Sequence, residues 1–437
     1  MDRKPLAETL ATAALAGPLD ADGLVARWSD VFGKRPRWLR PLATRLVAAF
    51  GEGTRPRRFR IVRFLLADAG LADGAARESA HVVPPPKPAM CPAGNAARSW
   101  KVPRILTPAA LARWLDVPFA QLAWFADVRT LERLSPEGPL RHYRYRWLTK
   151  RDGSARLIES PKPRLKAMQR RILTEILDRI PPHPAAHGFR AAHSIRTFVA
   201  PHVARSLVLR LDLRDFFPSI WRARVMAIFL TAGYPEPVAA LLAGVCTNTV
   251  PRGVLDAAPV ARSATRRIRD LYARPHLPQG APSSPALANL AAWRFDCRLA
   301  GLARATAANY TRYADDLVFS GDTDFVRTAQ RLAIHIGAIA IEEGFEVHWH
   351  KLRAMRPGVA QHAAGLVLNA RINIPRSDFD RLKAILHNCA LHGPASQNRA
   401  AHPDFRAHLA GRVAHVETIA PDRARKLRVE FERIAWQ

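Results

Sequence analysis

The chain has 437 residues, enough for about two to three domains, and 48% of them are hydrophobic, enough to bury sizeable cores. Its 67 Lys and Arg against 37 Asp and Glu leave a net charge of +30, a surplus that points to a polyanionic partner, nucleic acid before anionic membrane. No run approaches the roughly 18 apolar residues of a membrane span, and Cys91, Cys246, Cys297 and Cys389 have neither metal-type nor disulfide-framework spacing. A membrane protein, a zinc module and a disulfide scaffold are set aside, and a cytoplasmic protein with reduced thiols is expected.

Residues 1–80 are expected to form a basic helical extension, the short Ala/Leu stretch of Met1–Leu15 being interrupted by Glu8 and too short for a signal peptide. Between Arg35 and Arg63, nine arginines face the single acid Glu52 and alternate with Trp38, Phe50 and Phe59. This mixture suits phosphate contact with base stacking, and equally an ordinary solvated helix face. Residues 81–105, with Pro84-Pro85-Pro86, Pro88, Pro92 and Pro103, predict a stiff linker. Thr107 can then cap a helix that Pro108 opens.

Tyr143 to Ile158 reads as strand, turn and strand, with Asp152-Gly153 as the turn. Leu165, Met168, Ile172, Ile176 and Ile180 recur at helical spacing. Ser206 to Leu213 alternates, with Leu207, Leu209, Leu211 and Leu213 on one face and Val208, Arg210 and Asp212 on the other. That predicts a half-buried strand with Asp212 on its polar side. In Asn309-Tyr-Thr-Arg-Tyr-Ala-Asp-Asp-Leu-Val-Phe-Ser320, two apolar arms flank Ala314 to Asp316, a hairpin carrying adjacent carboxylates at its tip. After Pro375 the chain reads as helical, opened by a capping box of Ser377 and Asp380.

The acidic pair alone fits a solvated turn as well as a site. Asp212 changes the balance: if its strand neighbours the hairpin in one antiparallel sheet, three carboxylates share a polar face. Hard oxygen ligands suit Mg²⁺, which takes its remaining ligands from water and substrate phosphates. Two such ions, with Mn²⁺ as the alternative metal, can activate a 3′-hydroxyl and stabilise leaving pyrophosphate.

With these residues in place the chain resembles a reverse transcriptase. Tyr313-Ala-Asp-Asp316 is similar to the Tyr-x-Asp-Asp box of that family, Leu211-Asp-Leu-Arg-Asp-Phe-Phe-Pro-Ser-Ile220 to its first palm motif, and Leu277-Pro-Gln-Gly-Ala-Pro-Ser-Ser-Pro285 to its second. The resemblance implies an α+β, right-hand polymerase fold: fingers and palm with an antiparallel sheet over 106–375, a helical thumb over 376–437 and the helical extension in front. It implies Asp212, Asp315 and Asp316 as catalytic metal ligands with the backbone carbonyl of Leu213. It implies nucleotide contacts at Lys150, Arg156, Asp215, Phe216, Phe217, Gln279, Gly280 and Lys351. The ring of Phe217 would exclude a 2′-hydroxyl, Lys150 and Arg156 would hold the triphosphate, and Lys351 would stand beside the leaving pyrophosphate.

The wording around the motifs looks most like the bacterial retron group, which implies an RNA-directed DNA polymerase that copies a cognate structured non-coding RNA into a linked RNA–DNA hybrid. Deoxynucleoside triphosphates would be its substrates, an effector protein a further partner, and anti-phage defence its setting. His202, Arg412 and Arg425 are the implied RNA contacts. Two elements depart from the retron pattern: Phe198-Val-Ala-Pro-His202 stands where Asn-Ala-x-x-His is usual, and Ala363-Ala364-Gly365 where Val-Thr-Gly is usual. Another bacterial reverse transcriptase, intron-associated or of abortive-infection type, and a non-catalytic RNA-binding scaffold are the alternatives.

Overall fold

The structure is a computed structural model that describes residues 3–54, 56–77, 88–135, 137–149, 155–259 and 262–436. Lys150, the Asp152-Gly153 turn and the Pro84-Pro85-Pro86 run lie outside the described residues. The chain divides into two compact units, Met1–Pro181 with Ile220–Leu287 and Pro182–Ser219 with Ala288–Gln437.

The first unit begins with helices Arg3–Leu15, Ala21–Phe32, Leu39–Phe50, Arg58–Ala67 and Ala69–Arg77. They bury an apolar cluster of their own around Leu10, Leu24, Trp28, Leu42, Leu46 and Leu65. Burying Trp28 brings its indole N–H inside, and that donor is satisfied by the Leu10 carbonyl at 2.9 Å. Asp20 caps the second helix through the Gly23 N–H, and Gly33, at φ 64°, ends it in the left-handed region.

The stiff linker expected over 81–105 is a docked segment where it is described. The Cys91 N–H donates to the Gly233 carbonyl and the Ala93 N–H to that of Thr231, and Gly94–Arg98 is helical. Proline fixes backbone angles but leaves neighbouring amides free to bond elsewhere, so this proline-rich stretch is stitched to the unit it was expected to separate. Thr107 caps the helix Pro108–Trp114 through the Ala110 N–H, as read. The expected hairpin forms as β1 (Tyr143–Thr149) and β2 (Ala155–Pro161), antiparallel, with Leu148 opposite Arg156. The helix Pro163–Glu175 follows.

In the second unit β3 (Leu207–Asp212), β4 (Asn309–Tyr313), β5 (Asp316–Gly321) and β6 (Arg353–Met355) make one sheet in the order β4-β5-β3-β6. β3 and β5 are antiparallel from Leu207 opposite Gly321 to Asp212 opposite Asp316. The alternation of β3 is only partly that of a half-buried strand. Val208, expected on the polar face, is fully buried in a cluster with Val318, Phe198 and the C-terminal helices. Only Arg210 and Asp212 break the surface, at the end of the strand where chemistry is expected.

The C-terminal helices Arg376–His392, Phe405–Ile419 and Pro421–Glu432 close that cluster with Leu382, Leu386, Leu409, Val413 and Leu427. The expected Ser377–Asp380 capping box does not form. Pro375 occupies the cap position, Ser377 falls within the first turn, and Asp380 instead pairs with Arg376 at 3.4 Å. Ala363-Ala364-Gly365 forms the turn between β7 (His362–Ala363) and β8 (Leu366–Val367), with positive φ at Ala364 and Gly365. Among the described residues no helix is long and apolar enough to cross a membrane.

Candidate active site

Register brings the two motifs together. Because Asp212 lies opposite Asp316, the last residue of β3 faces the first residue of β5, and directly opposed side chains of an antiparallel pair stand about 4.5–5.5 Å apart at Cβ. Asp315 is in the turn between β4 and β5, and its carbonyl accepts the Leu213 N–H at 2.8 Å. On the other side of β3, the His348 N–H donates to the Asp212 carbonyl at 2.7 Å, fixing the backbone of this aspartate from both neighbours. Ala314 completes the turn at φ 55°, a left-handed conformation that non-glycine residues adopt at a cost of about 1 kcal/mol.

Two cations sit on the acidic face. Arg210, two residues before Asp212 and so on the same side of β3, donates from Nε and Nη2 to Oδ1 of Asp316 at 3.1 and 2.8 Å. Lys351, expected beside leaving pyrophosphate, donates from Nζ to Oδ1 of Asp212 at 3.2 Å. These pairs offset the like-charge repulsion that three neighbouring carboxylates would otherwise suffer. Among the described residues no three carboxylate, imidazole or thiolate groups are gathered closely enough to cage an ion by themselves. The donor set nonetheless fits Mg²⁺: hard oxygens only, and fewer protein ligands than a full octahedron, as expected of an ion that shares its shell with phosphates. Asp212, Asp315 and Asp316 would hold it.

The loop after Asp212 is tightly wound, with Asp215 at φ 50° and its carbonyl bonded to the Ser219 N–H. Phe216 is buried against Phe345, ring centroids 5.5 Å apart, whereas Phe217 remains partly exposed beside Phe189 at 6.3 Å. Phe217 is thus free to meet a ligand, and Phe216 belongs to the core.

Arg156, Gln279 and Gly280 belong to the first unit. The Gln279 carbonyl accepts the Glu159 N–H at 2.8 Å, tying its loop to β2. Gly280 stands at φ 132°, where a Cβ would lie 2.9 Å from the Glu159 carbonyl oxygen. Below this contact the fully buried Glu159 carboxylate meets His276 Nε2 at 3.0 Å and Asn248 Nδ2 at 2.6 Å. Burial lowers the His276 imidazole, but the Glu159 charge, the Glu159 hydrogen bond and the Arg274 carbonyl together outweigh this and raise it above its ordinary value. Sequence reasoning missed this network, because its three residues are scattered over 159–276.

The expected RNA contact at His202 is corrected by its burial. The side chain is inaccessible, with Nδ1 at 2.7 Å from the Ser320 hydroxyl and Nε2 at 2.7 Å from that of Thr311. An imidazole with both nitrogens bonded to the sheet cannot reach a ligand; it fastens the segment before β3 to β4 and β5. Arg425 is exposed, although it pairs with Asp422, while Arg412 is partly covered. Nearby, Arg428 is held by Glu417 at 2.6 Å and Arg423 lies over the Phe379 ring. Part of the thumb's basic character is therefore spent on internal contacts.

An antiparallel sheet that aligns a Tyr-x-Asp-Asp turn against a third aspartate is the arrangement of a polymerase palm. A model of the family "Reverse transcriptase (RNA-dependent DNA polymerase)" matches residues 148–384, more than half of the chain, and the chain belongs to that family. It is 42% identical over 297 residues to the retron Mx65 reverse transcriptase of Myxococcus xanthus, covering 67% of this chain and 65% of that one. To the retron Mx162 reverse transcriptase of the same organism it is 37% identical, covering 64% and 58%. To the retron Ec86 reverse transcriptase of Escherichia coli it is 30% identical, covering 53% and 65%. The chain thus spans somewhat less than two thirds of the length of these curated relatives. A foamy viral protease-reverse transcriptase in complex with ds DNA aligns with a TM-score of 0.32 at 14% identity, over 68% of this chain and 44% of that one.

Proposed function

We propose that this chain is an RNA-directed DNA polymerase of retron type. The observation that carries the reading is the register of β3 and β5, which sets Asp212 opposite Asp316 with Asp315 in the adjoining turn. Two divalent ions bound there would supply Lewis-acid activation of a primer hydroxyl and charge stabilisation at the α-phosphate and the leaving pyrophosphate. The protein's own contribution is positional. Phe217 presents a partly exposed ring to the sugar of an incoming deoxynucleotide, and in the first unit the Gln279-Gly280 backbone, tied to β2 at Glu159, is the segment to which the family resemblance gives a nucleotide contact. Arg156 answers the triphosphate charge. Lys351, within reach of Asp212, carries a proton and a positive charge toward the departing pyrophosphate.

The substrate RNA would be a structured non-coding RNA encoded with the protein, extended from an internal hydroxyl to a linked RNA–DNA hybrid (msDNA). An effector protein and anti-phage defence complete this proposal, which rests on the similarity to retron enzymes. Purified protein supplied with an annealed RNA template, DNA primer, Mg²⁺ and deoxynucleotides is expected to extend the primer. Asp212→Asn, Asp315→Asn and Asp316→Asn should each lose activity by about 10³-fold or more. Full extension by both variants of the turn pair would sink the assignment. Sequencing the copurifying nucleic acid decides the subtype: absence of a linked RNA–DNA species would favour another bacterial reverse transcriptase.

A further inference from the structure

Arg312 is a fully buried arginine near the end of β4, two residues before Ala314. Its Nε and Nη2 make a bidentate pair with Asp296, also fully buried, at 2.8 and 2.6 Å. Its Nη1 donates to Asn289 Oδ1 at 3.0 Å and to the carbonyl of Ala314 at 3.1 Å. The guanidinium carbon stands 5.7 Å from the centre of the Phe216 ring. The backbone of Arg312 is held as well, its N–H by the Ala185 carbonyl at 2.7 Å and its carbonyl by the His187 N–H at 2.8 Å. Asn289 Nδ2 in turn donates to the Gly188 carbonyl, and a Cβ on Gly188 would lie 2.9 Å from the Ala314 nitrogen.

One planar cation therefore touches three segments of its own unit: Phe216 from the loop after Asp212, Asn289 near the end of the helix Ser284–Ala291, and the peptide leading into Asp315. The Ala314 carbonyl belongs to the peptide plane that launches Asp315, so its direction sets where the two carboxylates of the turn point. A non-glycine residue with positive φ keeps that conformation only where its surroundings over-determine it, and here the over-determination comes from Nη1 of Arg312 at the Ala314 carbonyl and from Gly188 packed against the Ala314 nitrogen. Only arginine can do this, because its rigid fork of donors binds a carboxylate in two places and still leaves a nitrogen for the turn; lysine has no such fork.

We propose that Arg312, oriented by Asp296, is a positioning residue that aims the Tyr313–Asp316 turn for metal and nucleotide, beyond any part it plays in packing. The proposal rests on the polymerase reading. Arg312→Lys and the apolar replacement Asp296→Leu/Arg312→Met, in the full chain, separate it from a packing role. The double variant removes the buried charges together, so neither is left unpaired, but it takes the partners from the Ala314 carbonyl, from Asn289 Oδ1 and from the buried Tyr310 hydroxyl, which donates to Asp296 at 2.7 Å. Three quantities are read: thermal melting, Mn²⁺ affinity of the protein alone by titration calorimetry, and kcat and KM for single-nucleotide incorporation.

Expected are a fall in kcat of about 100-fold with little change in KM and a loss of Mn²⁺ affinity of about 10-fold in both variants. The double variant should still melt cooperatively, at a lower temperature than the parent because buried polar groups lose partners. Parental turnover in the melting-competent double variant, or parental Mn²⁺ affinity in both, would overturn the proposal. If both variants fail to fold, Asn289→Ala keeps the ion pair and the Nη1 bond to the Ala314 carbonyl but removes the amide that steadies Nη1 and holds the Gly188 carbonyl; it is expected to turn over about 10-fold more slowly, and parental turnover again counts against the proposal. A parent without polymerase activity refutes the enzyme reading, whereas the Mn²⁺ comparison still decides the role of Arg312.

Discussion

A histidine with both nitrogens bonded inside a sheet has its protonation state dictated by its partners. Thr311 donates its hydroxyl hydrogen to the Phe198 carbonyl at 2.9 Å, so it must accept from Nε2–H of His202, leaving Nδ1 to accept from Ser320. With Ser320 donating, this is the neutral imidazole, the form that burial favours. Burial above all, with His187 and Arg205 adding, pushes the His202 pKa down from 6.5 to about 3. Because the folded-state value lies below the unfolded one, the unfolded chain binds the extra proton first. The stabilisation is complete above about pH 6.5 and declines as pH falls toward 3. A loss on the order of 2 kcal/mol by pH 4 is expected, read from chemical denaturation at a series of pH values; His202→Gln should flatten the decline. Phe217→Ala, by contrast, should leave stability nearly unchanged and raise ribonucleotide over deoxynucleotide incorporation by about 10-fold or more, measured as the ratio of kcat/KM values. Residues of this kind differ in legibility. Asp212, Asp315 and Phe217 were readable because their motifs are contiguous. Arg210 and Lys351 were not assigned to Asp316 and Asp212, because their partners lie 106 and 139 positions away.

At the scale of elements, period and turn chemistry carried β3 and the β4–β5 hairpin, while burial on the second face of β3 escaped them. Val208 is covered by helices more than a hundred residues downstream, and nothing in a local alternation announces that cover. The capping signal at Ser377 failed for a related reason: Pro375 pre-sets the helix entry, so the box was not needed. The Gln279 loop and β2 show how tightly two elements are fitted. Gly280→Ala places a Cβ against backbone that cannot move aside, so a destabilisation of about 1–3 kcal/mol and a rise in deoxynucleotide KM are expected together; an unaltered KM would show that this loop is not a nucleotide surface. The N-terminal helices are a second case. Trp28→Ala empties the centre of their cluster and should cost about 3–5 kcal/mol, seen as a lower-melting transition in circular dichroism.

For the molecule as a whole, net charge was legible from composition, but its deployment was not. Arginines that looked available in the sequence are partly consumed: Arg27 by the carbonyls of Ala13 and Pro18, Arg45 by Asp68, Arg428 by Glu417 and Arg312 by Asp296. Arg37, Arg57, Arg60 and Arg63 of the N-terminal helices remain on the surface. With +30 overall, affinity for RNA is expected to fall by about 10³-fold or more between 50 and 200 mM salt, measured by filter binding. A shallow dependence would indicate that few of these side chains meet phosphate.

The ion pairs on the acidic face have a bearing on the life of the protein before it meets a substrate. With Arg210 on Asp316 and Lys351 on Asp212, the chain carries its own counter-ions, and loading a divalent ion becomes an exchange of one cation for another. On the metal-dependent reading, folding would thereby be decoupled from metal supply, the palm closing on its own ion pairs before any divalent ion arrives. Adding a chelator to the purified protein is accordingly expected to shift its melting temperature by no more than about 2 °C, while addition of Mg²⁺ without nucleic acid gains little stability.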